Sequence, residues 1–229
     1  MSTGARDGNR EKVLGALRKA LNVRGEDGAR RAIARGRLEN RPRGPVPARG
    51  QLAAPGRIAL FMAVAEAVDA STARLRKKED LLPAIAGFLD HHGLGHEIIH
   101  GGDAFLAGLD WRGHKGLKHR AGPARASDAV SLVKAFAGVA ETGTLVMLSG
   151  PDNPVTLNFL PPASIAVIEA GDIVGDYESM WAKLRLALGE GAMPRTVNWV
   201  TGPSRTADIG QKLELGAHGP GRLHILVVG

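Results

Sequence analysis

Three short runs set carboxylate, hydroxyl, guanidinium and imidazole groups directly beside apolar, strand-like sequence. The first is "AETGT", Ala140 to Thr144. Glu141 stands between two apolar segments, where burying a charge is costly unless it is paired. It is therefore either a ligand-facing carboxylate or one that hydrogen-bonds the backbone turn. Gly143 permits close approach of a ligand or of another backbone, and Thr142 and Thr144 add hydroxyls. The second run is "WVTGPSRTADIG", Trp199 to Gly210. It starts as a buried strand, breaks at Gly202-Pro203, and then presents Ser204, Arg205, Thr206 and Asp208. That is the layout of an anion cup. Ser204 or Thr206 can cap a helix through Asp208 to Leu213, the free N–H groups at its start attract carboxylate or phosphate, and Arg205 adds a bidentate contact. The alternative is ordinary capping, with Arg205 and Asp208 paired to each other. The third run is "GAHGPGRLH", where His218 either acts as a donor, acid or base near neutral pH or bonds backbone in a Gly-Pro turn.

These positions are the candidate site. Glu141 and His218 are the candidate catalytic groups. Thr142, Gly143, Thr144, Gly202, Ser204, Arg205, Thr206 and Asp208 are the candidate ligand contacts. In a parallel α/β sheet, loops at the strands' C-terminal ends gather along one edge. The expectation is one pocket there, with a small hydroxy- or keto-acid held by its anion at Ser204 and Arg205 and its hydroxyl or carbonyl toward Glu141 or His218.

Other chemistries lack their signatures. No G-x-G-x-x-G follows a strand. "GLDWRGHK" has P-loop glycine spacing, but His114 stands where Lys is required. "MLSGP" and "GPSRT" lack the G-x-S-x-G of a nucleophile elbow. His92, His96 and His100 are four apart, as helical metal ligands would be, but Gly93 and Gly95 oppose a helix there, so no metal site is expected. The 229 residues include no cysteine. Disulfides, thiolate nucleophiles and Cys-held iron–sulfur clusters are thereby excluded from this chain.

The elements that must carry these runs alternate. Helices are expected at 56–70, 80–91 and 176–188, the last capped by Asp176. Strands are expected at "STARLR", "HEIIH", 116–119, within "AVSLVKAFAGVA", at 144–148, at 164–169, in "TVNWVTG" and in "RLHILVVG". Such alternation predicts an α/β fold with a mainly parallel sheet flanked by helices. Ahead of it, "NREKVLGALRKAL" reads as an amphipathic helix and "RPRGPVPARG" as a linker. Residues 1–50 carry a net charge of +8 and residues 51–229 a net charge of −1, so the overall +7 belongs to an N-terminal arm. The division expected is a basic helix and arm at 1–50 and an α/β domain at 51–229. No aromatic residue lies in the first 50, which removes a platform for base stacking and argues against a nucleic-acid partner. No apolar run approaches the roughly 20 residues of a membrane span, and the N-terminus lacks a signal-peptide pattern. A cytoplasmic location is the expectation.

In order, "AETGTLVMLSG", "TGPSRTADI" and "GAHGPGRLHILVV" resemble the lactate utilization protein C family, the LUD-domain proteins. "TLNFLPPASIAVIE" is similar to that family's apolar strand after a Leu-Pro turn, with Ser164 where members often place His. The opening helix is similar as well. The resemblance implies a fold like that of the CoA-transferase and ribose-phosphate-isomerase superfamily. It implies a role in bacterial oxidation of L-lactate to pyruvate, as a component of a complex rather than as an independent catalyst. It further implies a small organic acid ligand, no cofactor in this chain, and iron–sulfur clusters on partner subunits. The alternative that the same fold implies is a stand-alone acyl-CoA or sugar-phosphate enzyme in which Glu141 forms an acyl anhydride.

Overall fold

The longest apolar runs, "ASIAVIE" and "RLHILVV", lie side by side at the centre of the molecule, buried on both faces as interior parallel strands are. The structure is a computed structural model and describes residues 3–23, 27–189, 191–206 and 214–229. Two units are distinct, residues 1–45 and 46–229.

The first unit holds α1 (Thr3–Ala20) and α2 (Gly28–Asn40). Asp27 caps α2 by accepting from the Arg30 N–H at 3.1 Å. Val13, Leu17, Ile33 and Leu38 on these helices are exposed. The expected domain boundary at residue 50 moves to 45. Residues 48–50 form a short 3₁₀ turn with Gly50 buried, and Gln51 Nε2 donates to Asp176 Oδ2 at 2.8 Å, so this stretch packs as part of the body.

The body begins with α3 (Ala54–Ala67), β1 (Ser71–Leu75), α4 (Leu81–His91), β2 (Glu97–His100), α5 (Ala104–Ala107) and β3 (Lys118–Ala121). It continues with β4 (Val130–Lys134), β5 (Ala137–Val139), β6 (Thr144–Leu148), α6 (Thr156–Phe159), β7 (Ala163–Glu169) and β8 (Ile173–Val174). It ends with α7 (Tyr177–Leu188), β9 (Val197–Val200), β10 (Arg205–Thr206), β11 (Glu214–Leu215) and β12 (Arg222–Val228). Six strands form an all-parallel sheet in the order β1-β12-β7-β4-β2-β3. A second sheet, β8-β5-β6-β9, is mainly antiparallel, and β10 and β11 make a small hairpin ladder. Among the described residues, no helix is long and apolar enough to cross a membrane.

Period-two alternation divides the large sheet's two faces. Ala166, Ile168, Ile225 and Val227 share a core with Ile58 and Phe61 of α3 and with Leu145 and Met147 of β6. Ile165, Val167, Leu226 and Val228 face the other way, onto Leu82, Ile85 and Leu89 of α4. The small sheet's remaining face, Ala137, Val139 and Val146, meets Met180 and Leu184 of α7. Asp176 caps α7 as its sequence indicates, accepting from the Ser179 N–H at 2.8 Å.

"AVSLVKAFAGVAETGTLVMLS" folds into three strands rather than the two expected. The chain changes sheets with almost no loop: the Ala135 N–H bonds the Val167 carbonyl in the large sheet, and the next N–H, of Phe136, bonds the Val146 carbonyl in the small one. Only Ala135 and the bend at Phe136 separate β4 from β5, and both are apolar like their neighbours, so composition carries no mark of the switch.

The turn from β5 to β6 depends on Gly143. Its φ is +63°, and a Cβ there would lie 2.5 Å from the Ala65 backbone nitrogen of α3. Gly143→Ala is expected to destabilise the protein by about 2–5 kcal/mol, from left-handed strain plus overpacking. Gly150→Ala, where a Cβ meets nothing within 4 Å, should change stability by less than about 0.5 kcal/mol. Urea unfolding midpoints of the two variants check this; equal midpoints would refute it.

A pH dependence also follows from the core. His224 on β12 stacks on Phe88 with ring centroids 4.2 Å apart, and its Nδ1 bonds Ser71 Oγ at 2.8 Å. Burial pushes its pKa down from 6.5 to about 4. The unfolded chain therefore binds a proton between those values that the folded one refuses. Stability should be unaffected by this group above about pH 6.5 and should fall as pH drops toward 4, by up to about 1.4 kcal/mol per unit. Denaturation at pH 7.5 and 4.5 measures the loss, and His224→Phe should reduce it.

Candidate functional site

Past Val200, which pairs with Leu145 at the edge of the small sheet, the chain enters Thr201-Gly202-Pro203. Gly202 has φ +71°, and a Cβ there would overlap the Val68 carbonyl, so no side chain fits. Ser204 then ties two loops together. Its N–H donates to the Pro220 carbonyl at 2.8 Å, its carbonyl accepts from the Gly216 N–H at 2.9 Å, and its Oγ accepts from the His218 N–H at 3.2 Å. These bonds hold the loop before β12 against the end of β9.

Between them opens a cavity of about 200 Å³. Its polar lining is Asn158, Ser164, Thr201, Ser204 and His218, and Met147, Phe159, Trp199 and Leu223 supply apolar walls. Asn158 is 3% exposed, and neither its Nδ2 nor its Oδ1 has a hydrogen-bond partner among the described residues. Buried polar groups are nearly always paired, and an amide open at both ends beside a cavity has a donor and an acceptor free for a polar group to complete. Among the described lining residues, His218 is the sole ionisable group.

Three of the residues expected from the sequence meet here: Gly202, Ser204 and His218. The others are placed differently. Ser204 leads into the strand β10 and not into a helix; Arg205 and Thr206 pair with Leu215 and Glu214. The anion cup at a helix start is therefore not formed at Ser204 or Arg205. The expected helix at 208–213, and Asp208 with it, lie outside the described residues. The Arg205 guanidinium is ion-paired with Asp69, not turned into the cavity lining.

Glu141 is absent from that lining as well. It is 4% exposed, its N–H bonds the Gly175 carbonyl at 3.1 Å, and its Oε2 lies 3.8 Å from Arg49 Nε with no hydrogen-bond partner among the described residues. Thr142 and Thr144 join a hydroxyl chain: Thr142 Oγ1 to Thr144 Oγ1 at 2.7 Å, and Thr144 Oγ1 to Thr201 Oγ1 at 2.7 Å. The Tyr177 hydroxyl closes on both at 3.2 and 3.3 Å. The single shared pocket is therefore not formed: the buried Glu141 carboxylate stands apart from the polar cavity, and it is the hydroxyls of Thr142 and Thr144 that connect to the cavity lining, through Thr201.

The edge also differs from expectation. Ser164 and Leu223 are second residues of β7 and β12, so the cavity lies at the N-terminal ends of these parallel strands. β9 ends there because it belongs to the antiparallel sheet, where the C-terminal-edge rule for parallel strands does not apply. Asn158 and Thr201 escaped sequence reasoning. The signal available for Asn158 was an amide inside the apolar run "TLNFL". The three spaced histidines take separate partners: His92 ends α4, His96 bonds Asp90 at 2.9 Å, and His100 bonds the Gly101 carbonyl and His119.

Residues 58–228 match the family model for the LUD domain. An uncharacterised protein of Neisseria meningitidis serogroup B is 37% identical over 91 residues, which is 40% of this chain and 38% of that protein. Lactate utilization protein C of Geobacillus thermodenitrificans is 35% identical over 91 residues, 39% of this chain and 38% of the relative. The chain thus matches less than two-fifths of the length of these relatives. A crystal structure of a DUF162 family protein from Deinococcus radiodurans superposes with a TM-score of 0.59 at 20% identity, covering 78% of this chain and 99% of that one, which speaks for the fold alone.

The buried Glu141 charge generates a prediction. Its nearest cation, Arg49, has a side chain 64% exposed, so their attraction is solvent-screened. A double-mutant cycle with Arg49→Met and Glu141→Gln should give a coupling of about 1 kcal/mol. Arg49→Met should cost stability in the parent protein and almost none beside Glu141→Gln. A coupling of zero would show that Glu141 is balanced by something else.

Proposed function

We propose that this chain, which belongs to the LUD domain family, is a non-redox component of a bacterial L-lactate-oxidising system and holds a small organic acid in the cavity between β9 and β12. The observation that carries the reading is the cavity, lined by polar and apolar groups together and bordered by an unpartnered amide. A cavity of about 200 Å³ has room for a ligand as small as a three-carbon hydroxy acid. The name carried by relatives such as the Geobacillus protein supports the same substrate class.

The absence of cysteine means that any iron–sulfur electron path runs through companion subunits. The basic unit, with Val13, Leu17, Ile33 and Leu38 exposed, is the surface we assign to docking on them. The acyl-CoA or sugar-phosphate alternative is less well supported. The carboxylate that the alternative needs as its nucleophile, Glu141, lies outside the cavity lining.

Deleting the gene from its host should abolish growth on L-lactate while leaving growth on pyruvate intact. Restoring residues 46–229 alone should yield a folded protein that no longer co-purifies with Cys-rich subunits. Undiminished growth of the deletion strain on L-lactate would rule out the lactate role. Full co-purification without residues 1–45 would rule out docking through the arm.

A further inference from the structure

We propose that Asn158 makes the cavity selective for a 2-hydroxy acid over the corresponding 2-oxo acid, an inference that rests on the small-acid reading above. Asn158 sits in the short helix α6, is 3% exposed, lines the cavity, and has both amide ends unpartnered among the described residues. Which end is oxygen and which nitrogen is interchangeable in such a side chain, but here the conclusion is the same either way, because both ends are open. An amide offers an acceptor and a donor in one plane. A ligand that completes it must bring a donor and an acceptor side by side.

A 2-hydroxy acid does so on adjacent carbons. Its hydroxyl donates to Oδ1, and one carboxylate oxygen accepts from Nδ2. A 2-oxo acid has acceptors only. It satisfies Nδ2 and leaves Oδ1 buried against another oxygen. Leaving a buried polar atom unpaired is the costly half of hydrogen-bond energetics, and sites built to bond a hydroxyl reject analogues that lack one.

Two neighbouring hydroxyls are already engaged, Thr201 Oγ1 with Thr144 and Ser204 Oγ with the His218 N–H. Among the described lining residues there is also no Lys or Arg to bind every carboxylate alike. Thr201, Ser204, Ser164 and His218 keep hydrogen-bonding capacity as well, but Asn158 is the described lining group buried with both polar ends unpartnered, and discrimination is assigned to it.

The test uses the full-length protein, with L-lactate, pyruvate and L-lactamide as probes, read by saturation-transfer NMR and calorimetry. L-Lactate is expected to bind about tenfold to a hundredfold more tightly than pyruvate. Lactamide keeps the hydroxyl donor and a carbonyl acceptor, so it should stay within about tenfold of lactate. In Asn158→Leu, lactate and pyruvate should bind equally, with an unchanged melting temperature showing that the fold is retained. Equal binding of the two acids by the parent protein overturns the role of Asn158 while leaving the small-acid reading in place, as does discrimination that survives in Asn158→Leu. Binding of none of the three probes overturns the small-acid reading itself.

Discussion

Two consecutive backbone N–H groups, those of Ala135 and Phe136, bond into different sheets. Each buried N–H needs a partner, so this pair fixes where the chain leaves the large parallel sheet and where the small sheet must begin. Met147 and Leu145 then pack on the core shared with Ile168 and Ile225, and β9 follows through its pairing with β6. The mouth of the cavity, from Thr201 to Ser204, is placed by that sequence of contacts. Loss of the switch would release the β5–β6 turn and the end of β9 together, because the Thr144–Thr201 hydroxyl contact joins them.

How much of this could be read from the sequence depended on the range of the cause. Local causes were legible. The apolar runs of β7 and β12, the Asp176 cap of α7 and the breaking role of Gly202-Pro203 all act within a few residues. Long-range causes were not. Arg205 was read as facing a ligand or pairing with Asp208, whereas it pairs with Asp69, 136 positions away. The C-terminal-edge rule for parallel sheets does not reach the strand ending at Val200, because its partner β6 runs antiparallel to it. Asn158 was passed over because one amide in an apolar run has no period of its own. Its meaning comes only from what surrounds it and fails to bond it.

At Gly143 the sequence left two causes open, approach of a ligand or of another backbone. The structure supplies backbone approach: α3 occupies the space where a side chain would be. Gly202 does the same against Val68. Both glycines of the candidate site therefore act through the scaffold, and the helix α3 sets the positions of both loops that border the cavity region. A change in α3 should be felt at the cavity without touching its lining.

Two of the buried groups without a hydrogen-bond partner among the described residues, Glu141 Oε2 and the Asn158 amide, make different demands. A buried carboxylate requires positive charge or several donors, and Arg49, 3.8 Å away and mostly exposed, meets that only in part. A buried amide requires a donor and an acceptor side by side, which a small ligand can bring. The hydroxyls of Thr142, Thr144, Thr201 and Tyr177 form a chain of their own. They accept and donate with equal ease, so that chain can reverse its hydrogen-bond direction when either end changes. Glu141 itself bonds the neighbouring backbone through its N–H, which donates to the Gly175 carbonyl. The hydroxyl chain that follows it in sequence reaches the cavity lining through Thr201, so the turn and the cavity wall share one scaffold.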